Sequence, residues 1–175
     1  MSHRTIANRL AAFATLLHDA AHADTDELSA SAVAALLTLR RDGPTAILDI
    51  ARTIGLTHSA TVRLIDRLEK DWLVRRMSRK GREVRVELTA RGRRRAGQFQ
   101  DRRIAAADTL MAVLDAAEIE VLARAVDKML EVPIDGRATA DHVCRSCDGD
   151  VCRGENCPVE AAAERLEAAK VQSPN

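Results

Sequence analysis

The sharpest chemical signal in this sequence is four cysteines within fourteen residues, Cys144-x2-Cys147-x4-Cys152-x4-Cys157, closed by Pro158. Thiolates are the soft ligands that Zn²⁺ and iron–sulfur clusters prefer, and connections this short let four sulfurs converge on one centre without regular secondary structure. The spacing equals that of a zinc knuckle with Cys in the His position, which favours zinc; the closing Cys-Pro also occurs in ferredoxin-like runs, which favours a cluster. Zinc is slightly preferred, and free or oxidisable thiols are the third reading. In a reducing cytosol such a group is better read as ligands than as disulfides. His142, two residues before the first cysteine, is a weaker candidate ligand. His18 and His22 lie one helical turn apart but lack a third partner, so they read as ordinary surface or interface residues.

A second chemistry is written in the charge. The net charge is only +1, yet residues 40–103 carry 18 Lys and Arg against 8 Asp and Glu, while the rest of the chain carries 9 against 18. A basic module of this kind is an electrostatic footprint for phosphate, because neutralising backbone charges releases counterions. Inside it, Thr57 can cap a helix running to about Lys70, with Thr61, Leu64, Ile65 and Leu68 on one face. His58, Ser59, Val62, Arg63 and Asp66 then point the other way, with Arg67 at the flank. A helix fits the major groove, where an Arg takes guanine bidentately and an apolar side chain can touch a thymine methyl. Arg63 is the leading base-reading candidate, Thr57, His58 and Ser59 suit bases or phosphates, and Val62 suits the methyl.

The residues after this helix alternate as strands do. Trp72 to Met77 and Glu83 to Leu88 flank a tip of Ser78-Arg79-Lys80-Gly81-Arg82, which predicts a two-stranded hairpin with a cationic end. Arg79, Lys80 and above all Arg82 are suited to the negative potential of a narrow minor groove.

The elements that must position these groups are mostly helical. Apolar spacing predicts helices over 5–23, 31–41 and 45–53, the second stopped by Asp42-Gly43-Pro44 and the third by Gly55. Thr89 opens another through Leu110, and a further helix runs from about Ala116 to Leu130. Beyond Pro133 and Gly136 the cysteine segment reads as loop, followed by a short Ala/Glu-rich helix to about Lys170. Hydrophobic residues make up 46% but aromatics only 2%, so the core must be built from Ala, Leu, Val and Ile. No apolar run approaches the ~18 residues of a membrane span and no secretion-signal stretch opens the chain, so a cytoplasmic protein is expected, with no membrane partner. There is no phosphate-cradling glycine loop and no Ser-His-Asp arrangement, so no enzyme is expected.

With those residues in hand, the stretch Ala35–Arg93 resembles the MarR family of bacterial transcriptional regulators, above all in LTHSATVRLIDRLEKDWLV, the basic hairpin and VELTARG. The resemblance implies a mainly α fold with a small β wing and an obligate homodimer whose N-terminal and last long helices interlock. It further implies a double-stranded, pseudo-palindromic operator and a possible small organic effector in a cleft between dimer interface and DNA-binding module. The division it suggests is a dimerisation helix at 1–30, a winged helix-turn-helix at 31–90, dimerisation helices at 91–132 and a cysteine-rich tail at 133–175. Three departures stand out: Trp72 where the family usually has Gly, expected to pack on the wing base; the exchange of residue types at Thr61 and Val62; and Lys80 in place of an acidic residue before the wing Arg. Known members mostly lack the tail. The reading is a DNA-binding repressor with a four-cysteine metal site; the alternative is a metal- or cluster-dependent redox protein whose basic domain docks a partner.

Overall fold

The computed structural model describes residues 1–22, 28–77, 84–152 and 157–172, the side chains of His22 and Gln172 excepted. Eight helices and three strands are assigned there: α1 (His3–His22), α2 (Ala30–Asp42), β1 (Thr45–Ala46), α3 (Ile47–Ile54), α4 (His58–Lys70), β2 (Val74–Arg76), β3 (Arg85–Leu88), α5 (Ala90–Met111), α6 (Ala116–Glu131), α7 (Arg137–Val143) and α8 (Pro158–Gln172). A 3₁₀ turn, Cys144–Ser146, follows α7. The expected class, mainly α with a small β wing, is what is found.

The helix boundaries have local causes. Ser29 Oγ accepts the Ala32 amide at 3.3 Å, Thr57 Oγ1 the Ala60 amide at 3.3 Å and Thr89 Oγ1 the Gly92 amide at 3.0 Å, each satisfying an N–H that a first turn leaves over. Asp115 and Glu118 form a reciprocal capping box at the start of α6. At the end of α3 the Leu56 amide bonds Ala51 O and the Gly55 amide bonds Arg52 O, the Schellman pattern, with Gly55 at φ 71°. The end of α4 repeats that pattern through Leu73 N to Leu68 O and Trp72 N to Glu69 O, but here the left-handed residue is Trp72, at φ 58°.

The core lies under the helix-turn-helix. Leu36 and Leu37 of α2, Ile50 of α3, Ile65 and Leu68 of α4, Val74 and Val86 of the sheet and Phe99 of α5 are all fully buried and belong to one cluster. Gly92 explains why VELTARG needs its glycine, since a Cβ there would meet Leu73 O at 1.8 Å. The N-terminus of α5 rests directly on the backbone entering the wing.

Two expectations are corrected. Thr45 and Ala46 do not begin a helix; they form β1, pairing Thr45 with Val86 and Ala46 with Arg85, so the sheet has three antiparallel strands in the order β1-β3-β2. The helical spacing of Ile47, Leu48 and Ala51 runs on no further back because β3 offers an edge whose N–H and C=O groups need partners. The tail, read as loop up to Pro158, contains α7 and the 3₁₀ turn; Ala140 buries against Val159 and Ala163 of α8, a second small core that includes Cys157.

Candidate nucleic-acid interface and thiol centre

Helix α4 presents the two faces its spacing demands. Thr61, Leu64, Ile65 and Leu68 are buried, whereas His58, Ser59, Arg63 and Asp66 are exposed, with Thr57 and Arg67 beside them. Val62 departs from the expected outward set, being half-buried and packed against the core cluster, because it flanks the apolar stripe. Thr61 Oγ1 donates to Thr57 O at 3.0 Å, which hides its hydroxyl within the first turn. Arg63 and Arg67 form no ion pair or hydrogen bond with any described residue, so their guanidinium groups are open to an anion.

Asp66, the acid on the exposed side next to Arg63, is neutralised from the sheet. Arg76 of β2 donates to Asp66 Oδ1 at 2.6 Å and also to Glu69 Oε2, while its backbone N–H donates to Glu69 Oε1 at 2.9 Å. Burial lowers the Arg76 pKa, but the bonds to Asp66 and Glu69 more than offset that and hold it above the usual arginine value. Sequence reading did not single out Arg76; seven and ten residues from its partners, it carries no spacing signal. The strands of the predicted hairpin are paired, Val74 with Leu88 and Arg76 with Val86; β2 is shorter at both ends than expected, while β3 ends at Leu88 as expected. Arg79, Lys80 and Arg82 lie outside the described residues. Trp72 does not pack on the wing base: the residue is 75% exposed, because the left-handed turn aims its ring outward.

The thiols come together at a cleft of about 700 Å³ that all four cysteines line, along with Asp49 and Thr53 of α3, Asp141 and Glu160. Among the described residues no three His, Cys, Asp or Glu side chains already stand grouped for an ion. Cys144 lies beside Cys147 and Cys152 beside Cys157, close enough for the thiols of each pair to shift one another's titration. The Cys144 thiol, with Arg103, Arg41 and Arg145 nearby, holds the Cys147 pKa down to about 6; Cys147 and burial push Cys144 far up. Burial and the neighbouring Cys157 push Cys152 up to about 11.

This segment is bolted to the basic module. Arg41 of α2 donates to Cys144 O at 2.6 Å, Thr38 of α2 to Arg145 O at 3.3 Å, and Arg103 of α5 to Ser146 O. His142 Nδ1 bonds Thr53 O at 2.8 Å, so the histidine considered as an alternative ligand is engaged with α3 instead. Gln100 of α5, 2% exposed, has an Nε2 without a hydrogen-bond partner among the described residues, and it lines a small cavity together with Cys147. On the far side of α5 a cleft of about 420 Å³ is lined by Leu17, His18, Ala21, Ile104 and Arg145 among others.

Comparison with known proteins accords with this geometry. The sequence profile of a winged helix DNA-binding domain matches residues 28–92. No curated protein matches the chain significantly. Among solved structures, RV1404 from Mycobacterium tuberculosis is 28% identical with a TM-score of 0.65, covering 75% of this chain and 94% of its own. A MarR family protein from Bacillus stearothermophilus is 25% identical with a TM-score of 0.65, covering 74% of this chain and 95% of its own. FabT of Streptococcus pneumoniae, solved in complex with DNA, is 13% identical and shares the fold at a TM-score of 0.66, over 75% of this chain and 96% of its own. About a quarter of this chain has no counterpart in these three structures.

Proposed function

We propose that the chain, whose residues 28–92 match a winged helix DNA-binding domain and whose fold is similar to that of a MarR family protein, is a DNA-binding regulator of MarR type that acts as a homodimeric repressor on a pseudo-palindromic operator. The observation that carries this reading is the α4 surface: a capped, groove-sized helix whose exposed side offers Ser59, Arg63 and Arg67 with both guanidinium groups unengaged by described residues. Arg63 reads a guanine edge, Thr57, His58 and Ser59 bind bases or phosphates, and the sequence cations Arg79, Lys80 and Arg82 join the adjoining minor groove.

A second copy accounts for surface that one chain leaves unexplained. Helix α6 has no buried residue although Ile119, Val126, Met129 and Leu130 are apolar, and α1 exposes Ile6, Leu10, Phe13 and Leu16. Two elements with exposed apolar stripes are what a self-complementary interface requires. Binding such a dimer across a promoter would block transcription by occupancy. The candidate pocket for a small-molecule effector is the cleft beside Leu17 and His18, which lies between α1, α5 and the 3₁₀ turn of the cysteine segment.

The four cysteines add a soft-metal centre, for which Cys144, Cys147, Cys152 and Cys157 supply the ligand set of a tetrahedral zinc site or an iron–sulfur cluster. A redox carrier whose basic domain docks a partner would also use these cations, but it gives no reason for them to sit on the exposed face of a capped, groove-sized helix beside a wing.

Selection of duplexes from a random library by the purified protein tests the operator claim. The enriched sequence is expected to be an inverted repeat with half-sites about one helical turn, roughly 34 Å, apart centre to centre. Enrichment of a single unrepeated site, or of nothing, would contradict it.

A further inference from the structure

The cysteine segment does more than hang behind the DNA-binding domain. Its 3₁₀ turn offers three successive carbonyls, those of Cys144, Arg145 and Ser146, and each is taken by a side chain of the basic module: Arg41, Thr38 and Arg103. Just before that turn, His142 bonds the carbonyl of Thr53 at the C-terminal end of α3. Its ring lies 3.1 Å from where a Cβ on Gly55 would stand, in the turn that joins α3 to the reading helix α4. Helix α3 has eight residues, too few to hold its shape by propensity, and its last carbonyls need external donors. Everything that fixes α7 and the 3₁₀ turn therefore bears on the attitude of α3 and the turn.

The buried Gln100 amide is an independent observation beside this segment: it lines a small cavity with Cys147, which also lines the four-cysteine cleft. A donor in a residue only 2% exposed, unpartnered among the described residues and facing a cavity shared with Cys147, costs stability unless it meets an acceptor. A metal-bound thiolate is such an acceptor, and N–H donation to ligand atoms is how proteins orient and tune metal ligands.

We propose that metal held by Cys144, Cys147, Cys152 and Cys157 is a latch on the reading head, tightening the His142–Thr53 contact and so holding α3, the Gly55 turn and α4 in their DNA-competent arrangement. The inference rests on the soft-metal reading above. Zinc binding is a ligand exchange in which thiol protons pass to solvent and no electrons move; a cluster would be assembled from ferrous and ferric iron with sulfide, all supplied together, so that no further oxidant is needed. Loss of the metal releases the four cysteines from one another, loosens α7 and the 3₁₀ turn and weakens operator binding.

The test uses the full chain in three forms: zinc-loaded, chelator-stripped under reductant, and reconstituted without oxygen with ferrous iron, ferric iron and sulfide. Two readouts apply to each, the affinity for the selected duplex and amide hydrogen exchange at residues 51–57. Stripping is expected to lower affinity about tenfold and to speed exchange at 51–57, and reloading with whichever metal binds stoichiometrically should restore both. His142→Ala should keep its metal but show the weak affinity and fast exchange in every form, while His142→Asn, which retains a donor, should restore part of the response. Unchanged affinity and exchange on stripping, or a full metal response in His142→Ala, overturns the latch. Failure of both metals to bind, with the cysteines recovered as disulfides, overturns it at its premise while leaving the DNA-binding reading intact. Metal-dependent exchange in a protein that selects no duplex would instead count against the operator.

Discussion

Trp72 is the residue whose conformation and type disagree most. It occupies the left-handed position of a Schellman turn, at φ 58°, with its ring in solvent. A bulky L-residue there carries strain of order 1–2 kcal/mol, and glycine returns part of that gain through the entropy of the unfolded chain. Trp72→Gly is therefore expected to raise unfolding stability by about 0.5–1 kcal/mol in a urea titration followed by circular dichroism; a loss of stability would mean that the ring has a partner in the dimer. The sequence already marked Trp72 as a departure from the MarR pattern, but its exposure could not be read from spacing, because a single left-handed φ decides where the ring points. Arg63 and Ser59 were legible for the opposite reason: a capped helix with a clean apolar stripe leaves only one outward face.

Between elements, the contact that matters most for DNA binding is the fork of Arg76 from β2 onto Asp66 and Glu69 of α4. It ties β2 to α4 and cancels two negative charges beside the exposed cations Arg63 and Arg67. All three side chains are partly exposed, so the stability at stake is small, about 0.5–1 kcal/mol. Its larger effect is electrostatic. Arg76→Ala should weaken duplex binding roughly 3–10-fold at low salt, with a reduced slope of log affinity against log salt; unchanged binding at low salt would show that the two acids face away from the phosphates. No periodicity foretold this pairing, nor β1, because both depend on which strand edge lies beside which helix. By contrast, the starts of α4 and α5 were readable from Thr57 and Thr89, since capping chemistry is local.

At the scale of the molecule, the winged domain and its helical flanks followed from pattern, while the seating of the tail did not. Four cysteines announce a ligand set, but only the fold reveals that Arg41, Thr38 and Arg103 grip the backbone from the first of them toward the second. No helix among the described residues is long and apolar enough to cross a membrane; the exposed apolar stripes of α1 and α6 are the surface that the proposed dimer would cover. Leu10→Glu combined with Phe13→Glu should reduce the light-scattering mass at micromolar concentration from two chains to one. A mass of two chains in that variant would place the interface elsewhere. The proposed function turns on α4 reading base edges, and the most direct measurement is equilibrium binding of the wild type and Arg63→Ala to the selected duplex and to duplexes changed one base pair at a time. The expected result is a loss of about 1–3 kcal/mol per half-site for Arg63→Ala, together with lost discrimination at one base pair in each half-site. Equal affinity and an unchanged base preference in Arg63→Ala would contradict it.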